Sequence, residues 1–197
     1  MGAGRLREFN KDDALEKATT LFWRDGYNGT SLSDLTAIMG INKPSLYAAF
    51  GNKEALFIAA LNQYVDKHGR PHIGELHTPN TTLKKRLQNY LKSIVQMHTD
   101  PMLPGGCFVT TSTCEARSHC LPADALQTIS KINEATTKAY TDFFTNEAQQ
   151  GNLSTTGTPD VLANYLSTLL NGLAIMARKG AKRNVLDKVI DHSISLF

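Results

Sequence analysis

The sequence lacks the features that mark secreted and membrane-spanning proteins. It has three cysteines and one tryptophan in 197 residues. No apolar run approaches the roughly 18 residues that a membrane-spanning helix needs, and the N-terminus has no apolar core of a signal peptide. These absences predict a cytoplasmic protein whose thiols are reduced.

Motifs that carry catalysis are also missing. The chain has no Gly-rich phosphate loop, no His-Glu pair at zinc-protease spacing and no nucleophile elbow around a serine. A thiol enzyme built on Cys107 and His119 is the catalytic alternative that remains open. Three histidines in residues 68–77 have a spacing that suggests a metal site, but the Pro and Gly residues between them prevent a shared helical face. Cys114, His119 and Cys120 are donors of the right type, but the bend expected before Pro122 leaves their geometry undefined. We therefore predict no enzyme, no cofactor and no metal site.

Apolar residues are sufficient for a core, and their spacing is helical. Hydrophobic residues make up 41% of the chain and charged residues 20%. The apolar positions recur every three or four residues, and no segment has the alternation of a strand. These patterns predict an all-α fold of about nine helices in two domains, residues 1–66 and 67–197. The boundary is set by the Pro- and Gly-containing stretch 68–80.

Residues 30–53 contain two short helical patterns joined by a tight turn. Ser31 is the predicted N-cap of the first helix. Gly40 stands where a helix end needs a positive φ angle. Asn42 caps the second helix, which has Pro44 in its first turn. Together these features predict a helix-turn-helix, whose second helix can lie in the major groove of DNA.

The second of these helices exposes groups suited to duplex DNA. Lys43 can bind a phosphate or a guanine, Ser45 can reach either kind of group, and the Tyr47 hydroxyl can donate to a phosphate. Net charge gives no support, because residues 1–64 contain seven basic and seven acidic residues. On these residues alone, an ordinary helical hairpin with a solvated polar face is the alternative.

The stretch from residue 40 to 56, GINKPSLYAAFGNKEAL, resembles the signature of the TetR family of bacterial transcriptional regulators. The Gly26-Tyr27 turn matches it too. The resemblance implies a repressor that binds a pseudo-palindromic operator in double-stranded DNA as a dimer. It implies that the DNA-contacting residues are Thr30, Ser31, Lys43, Pro44, Ser45, Tyr47 and Lys53. Ala48 and Ala49 replace the family's usual aromatic or His pair, which leaves the operator preference open.

Apolar stripes in the second half predict helices that bury one face in a bundle. The last two stripes, residues 162–177 and 186–197, carry surplus apolar surface, which predicts a homodimer through a four-helix bundle across a two-fold axis. A purely structural helical oligomer would also account for these two helices. It would leave the polar face of Lys43, Ser45 and Tyr47 without a role.

The second half also contains candidates for sensing an effector, a small molecule or an electrophile, that would release the operator. The family resemblance implies that this half binds a ligand. Cys107 stands at a predicted helix start, where the helix dipole favours a reactive thiolate. Aromatic residues of this half can line an apolar pocket. The candidate set is Cys107, Phe108, Tyr140 and Phe144. The alternative is that all four are ordinary core residues.

Overall fold

The computed structural model describes residues 9–116, 121–153 and 157–195. Within these ranges there are no strands, and nine α-helices have eight residues or more, so the predicted all-α fold is confirmed. A π-helical segment, Val65–Gly69, precedes the short helix Arg70–Ile73, and a 3-10 segment, Gly74–His77, follows it. The α-helices are α1 Lys11–Asp25, α2 Leu32–Met39, α3 Lys43–Phe50, α4 Lys53–Tyr64, α5 Arg70–Ile73, α6 Leu83–His98, α7 Phe108–Ala116, α8 Ala123–Gln149, α9 Pro159–Arg178 and α10 Arg183–Ser195.

The helix starts of the N-terminal region are set by side-chain caps. Ser31 Oγ accepts from the backbone N of Asp34 at 3.1 Å, and Asp34 Oδ2 accepts from the backbone N of Ser31 at 2.9 Å. This reciprocal pair is a capping box. Asn10 and Asn42 cap α1 and α3 through their side-chain oxygens. The caps at Ser31 and Asn42 confirm the local sequence predictions.

The stretch after Tyr64 is helical, whereas the sequence predicted a Pro- and Gly-rich linker. Residues 65–77 pass through π-helical, α-helical and 3-10 segments without an extended break. Pro71 is tolerated because it lies in the first turn of α5, where a missing N–H removes no intrahelical hydrogen bond. The proposed domain boundary after residue 66 therefore falls inside a helical connection.

Two apolar cores organise the chain. The first contains α1 to α4 together with residues of α7 and the start of α8, so that Phe22 and Phe57 share a core with Phe108. The second is formed by α6, the later part of α8, α9 and α10. Because the first core includes α7, the helix-turn-helix region packs directly on the second half of the chain.

The apolar stripes of α9 and α10 face inward. Leu166, Leu173, Leu186 and Ile190 are all buried in the second core, where α6 and α8 cover them. These side chains, which the sequence assigned to a dimer surface, are core residues of a single chain. Other members of the predicted ranges, Ile175, Met176 and Val189, are exposed, and so are Val161 and Val185 on the same two helices.

Membrane spans and metal clusters are both absent from the described ranges. No helix there is long and apolar enough to cross a bilayer. The same residues contain no group of three or more His, Cys, Asp or Glu placed to hold one ion. His119 and Cys120, which the sequence offered as metal donors, lie outside the described residues.

Candidate nucleic-acid interface and effector cavity

A tight turn sets the position of α3 on α2. Gly40 ends α2 in the left-handed region with φ of 70°, a conformation that costs glycine little because it has no Cβ. The backbone N of Ile41 then donates to Thr36 O at 3.1 Å. Met39 and Leu46 are buried on the two sides of the turn. These contacts direct one face of α3 into the core and the other outward.

The outward side of α3 carries predicted DNA-binding residues. Lys43 and Pro44 are exposed in the first turn, and Tyr47 follows one turn later with 48% of its surface exposed. Ser45 is half-buried, and its backbone N donates to Asn42 Oδ1 at 2.8 Å. The structure thus places a basic group and a phenol side by side on the surface, on a helix that is firmly capped.

The other predicted DNA contacts lie at neighbouring helix starts, with different exposure. Thr30 is 1% exposed, and its hydroxyl donates to Gly26 O at 2.7 Å, so that it stabilises the turn before α2. Ser31 is exposed at the N-cap of α2. Lys53 is the first residue of α4, with Nζ 4.1 Å from the centre of the Tyr27 ring. Partial burial lowers the pKa of Lys53.

Two polar contacts that the sequence did not predict hold the helix-turn-helix region on the second half. Glu115 of α7 accepts from the backbone N of Tyr27 at 3.0 Å and of Asn28 at 2.9 Å. Arg178, at the end of α9, donates to Trp23 O at 2.9 Å and to Arg24 O. No local pattern could reveal these contacts, because the partners are 87 to 155 residues apart.

A cavity of about 790 Å³ lies next to this junction. Its walls come from α4 to α9 and from the π-helical segment, and most of the lining is apolar. Tyr64 of α4 contributes to the wall and also packs its ring against Trp23 of α1 at 4.8 Å between centroids. One side chain therefore contacts both the cavity and the first helix of the DNA-binding region.

The four predicted effector-sensing residues are not all at the cavity. Cys107 and Tyr140 line it. Phe108 is fully buried in the first core, where its ring lies 5.7 Å from those of Phe57 and Tyr64. Phe144 is fully buried in the second core. The aromatic pattern predicted that both phenylalanines are buried, but it could not show whether a buried aromatic residue lines the cavity or lies in a core.

The buried tyrosines of the cavity and its buried His98 are neutral in the ordinary pH range. Burial raises the pKa of Tyr140 to about 12, and its hydroxyl lies 2.5 Å from that of Tyr90. Burial, reinforced by the nearby Cys107 sulfur, raises the pKa of Tyr64 well above its usual value. Burial lowers the pKa of His98 to about 4. These buried groups can therefore offer hydrogen bonds without carrying a charge.

A capped helix with an outward polar face, packed through α1 and α4 onto a helical body with a cavity, defines a helix-turn-helix DNA-binding protein with a ligand-sized site. The sequence profile "Bacterial regulatory proteins, tetR family" matches residues 14–60. The HTH-type transcriptional repressor ComR of Escherichia coli is 31% identical over 194 residues, with 98% of this chain and 91% of ComR covered.

Two further comparisons agree with this match. The repressor BdcR of Escherichia coli is 29% identical, with 90% of this chain and 83% of BdcR covered. A cysteine mutant of the TetR family regulator CifR, solved with 26bp double-strand operator DNA, superposes with a TM-score of 0.84 at 30% identity, covering 98% of this chain and 100% of CifR. The chain belongs to the TetR family of bacterial regulatory proteins.

Proposed function

We propose that this TetR-family regulator is a repressor that binds a pseudo-palindromic operator as a dimer and is released by an effector in the cavity. The observation that carries the DNA-binding part is the exposed face of α3, where Lys43 and Tyr47 stand on a capped helix. ComR and BdcR are repressors by name, and the CifR complex contains operator DNA. The proposed activity is binding rather than catalysis.

The predicted DNA-binding residues fall into two groups: those suited to contact phosphates and those placed to contact bases. Lys43 and the Tyr47 hydroxyl are suited to phosphate oxygens, and Lys53 with Ser31 adds donors at helix N-termini, where anions are favoured. Ser45 and Pro44, at the start of α3, are placed to meet base edges if this end of the helix enters the major groove. Thr30 supports the site through its internal hydrogen bond.

Replacing Lys43 with alanine is expected to weaken operator binding and to make the salt dependence shallower by about one unit in the log–log slope, because one phosphate contact is lost. Fluorescence anisotropy with a selected operator at several salt concentrations measures both quantities. Lys84→Ala removes another exposed lysine, on α6, and serves as the control, with no expected change. If Lys43→Ala and Tyr47→Phe both bind like the parent, α3 is not the recognition helix.

Dimerisation is proposed through the outer surface of α9 and α10. The exposed apolar residues of this surface include Met176 at 45% exposure and Val189 at 44%. A two-fold pairing of two such surfaces would bury apolar groups that are costly to leave in water.

Val189→Glu is expected to convert the dimer to monomers without unfolding the chain, because the carboxylate would be desolvated only at the interface. Light scattering at micromolar concentration and circular dichroism measure the two properties. Leu173→Glu is the contrast: its side chain is buried within one chain, so that variant should lose helical structure as well. A parent protein that is monomeric at this concentration would end the dimer proposal.

Release by an effector is proposed to pass through Tyr64. Cys107, immediately before α7, lines the same cavity as this tyrosine. A ligand or a covalent adduct at Cys107 would compete with the Tyr64 side chain for space, and the displaced ring would disturb its packing on Trp23. Such a change need favour the non-binding arrangement by only about 1–3 kcal/mol to reduce operator occupancy substantially.

A further inference from the structure

The described lining of the cavity beside Tyr64 includes no buried acidic or permanently charged side chain that would neutralise a charged ligand. None of the described residues that line it is Asp, Glu or Lys. Its arginine, Arg70, has 72% of its side chain in solvent and lies 3.0 Å from Asp66 Oδ1. A carboxylate or an ammonium ion taken into this space would lose its hydration without gaining a partner, which is costly.

His98 adds a hydrogen-bonding group without a charge. The residue is 3% exposed, lines the cavity, and its Nδ1 has no hydrogen-bond partner in the described part of the chain. Because burial lowers the pKa of the ring to about 4, the imidazole is neutral near pH 7. A buried polar atom of this kind usually has a partner, and a ligand can supply one.

The Tyr90–Tyr140 pair provides a donor in the same cavity. The two hydroxyl oxygens are 2.5 Å apart, and both residues are buried and line the cavity. One hydroxyl must donate to the other, so the accepting hydroxyl keeps its own proton. Since a tyrosine O–H is both donor and acceptor, that second proton is available to an acceptor atom placed in the cavity.

We propose that the cavity binds an uncharged, mainly apolar molecule with a carbonyl oxygen, and that this oxygen accepts a hydrogen bond from the Tyr90–Tyr140 pair. His98, which follows Tyr90 by two helical turns on α6, faces the same space. Ile94 and Met97 supply apolar wall between them. This ligand class is that of the effector. Only the expected result of ligand binding, release of the operator, rests on the proposed function.

Three compounds of nearly equal shape test the ligand class. They are 2-acetylnaphthalene, which is neutral with a carbonyl oxygen, 2-naphthoate, which is charged at pH 7.5, and 2-ethylnaphthalene, which has no polar group. Equilibrium dialysis against the full-length protein measures their affinities without DNA. We expect the ketone to bind about tenfold more tightly than the hydrocarbon, the size of one buried hydrogen bond, and the carboxylate to bind most weakly.

Matched variants test the site. The double variant Tyr90→Phe, Tyr140→Phe is required, because either hydroxyl alone can still donate to a ligand. It should lower ketone affinity about tenfold and leave hydrocarbon affinity unchanged. Tyr165→Phe removes a hydroxyl from a tyrosine that does not line the cavity, and should bind all three compounds like the parent.

Several results would overturn the inference. These are tightest binding of 2-naphthoate, equal binding of ketone and hydrocarbon, unchanged ketone affinity in the double variant, or no binding of any of the three compounds. Circular dichroism shows whether the double variant is folded. If it is unfolded, the ratio of ketone affinity to hydrocarbon affinity in the parent protein still tests the inference. Operator binding is measured separately with Lys43→Ala, so failure here leaves the proposed DNA-binding function standing.

Discussion

Replacing Glu147 with alanine is expected to lower the free energy of unfolding by about 3–5 kcal/mol, because it leaves a buried arginine without its counter-ion. Arg86 Nη2 lies 2.6 Å from Glu147 Oε2, and the two side chains are 11% and 5% exposed. Arg86 also donates to Leu76 O at 2.9 Å, and Asn152 donates to Glu147. The cluster ties α6 to the end of α8.

Chemical denaturation measures this loss, and a second ion pair on α8 provides the control. Lys138 and Asp142 lie 2.7 Å apart, but their side chains are 74% and 59% exposed. Exposed pairs contribute little because water screens both charges. Asp142→Ala should therefore have a much smaller effect than Glu147→Ala. Equal effects of the two variants would show that burial of the Arg86–Glu147 pair does not matter to stability.

The same pair predicts a pH dependence. Hydrogen bonds from Arg86 are the main cause that lowers the pKa of Glu147 below its ordinary value of 4.5. Its contribution to stability is therefore present above about pH 4.5 and is lost as the pH falls through the lower folded-state pKa. The stability difference between wild type and Glu147→Gln should shrink over this range. His98, whose pKa is lowered to about 4, destabilises both proteins alike below pH 6.5 and cancels in the difference.

Alkylation of Cys107 is expected to lower operator affinity about 5- to 150-fold, the usual range of coupling between a ligand site and a second site. The adduct would occupy the cavity at the N-terminus of α7, next to Tyr64, and would disturb the packing of α4 on α1. Because Cys114 is exposed, the experiment uses a protein in which Cys114 and Cys120 are replaced by serine. Iodoacetamide forms the thioether, and mass spectrometry counts the adducts.

The matched control further replaces Cys107 with serine. That protein should bind the operator normally and retain its affinity after the same treatment. If it loses affinity as the parent does, the reagent acts elsewhere. If Cys107 remains unmodified in the folded protein, or is modified without loss of DNA affinity, the thiol route of release is excluded. A non-covalent ligand in the cavity would then be the remaining route.

Features encoded over a few residues were predictable from the sequence. The N-cap at Ser31 formed as expected, and so did the turn at Gly40, since each depends on backbone geometry and on groups a few residues apart. Helical periodicity likewise predicted which faces of α9 and α10 are apolar. It could not predict what covers them, because α6 and α8 come from distant parts of the chain.

The sequence by itself therefore determined the all-α class, the helix-turn-helix and the exposure of Lys43 and Tyr47 on α3, because caps, turns and periodicity act locally. The tertiary structure decided that Cys107 and Tyr140 line a cavity while Phe108 and Phe144 fill cores. It also decided that the stripe around Leu173 is internal and that Glu115 holds the turn after α1. These outcomes depend on which helices meet, and burial and hydrogen-bond partners between distant segments exist only once the chain has packed.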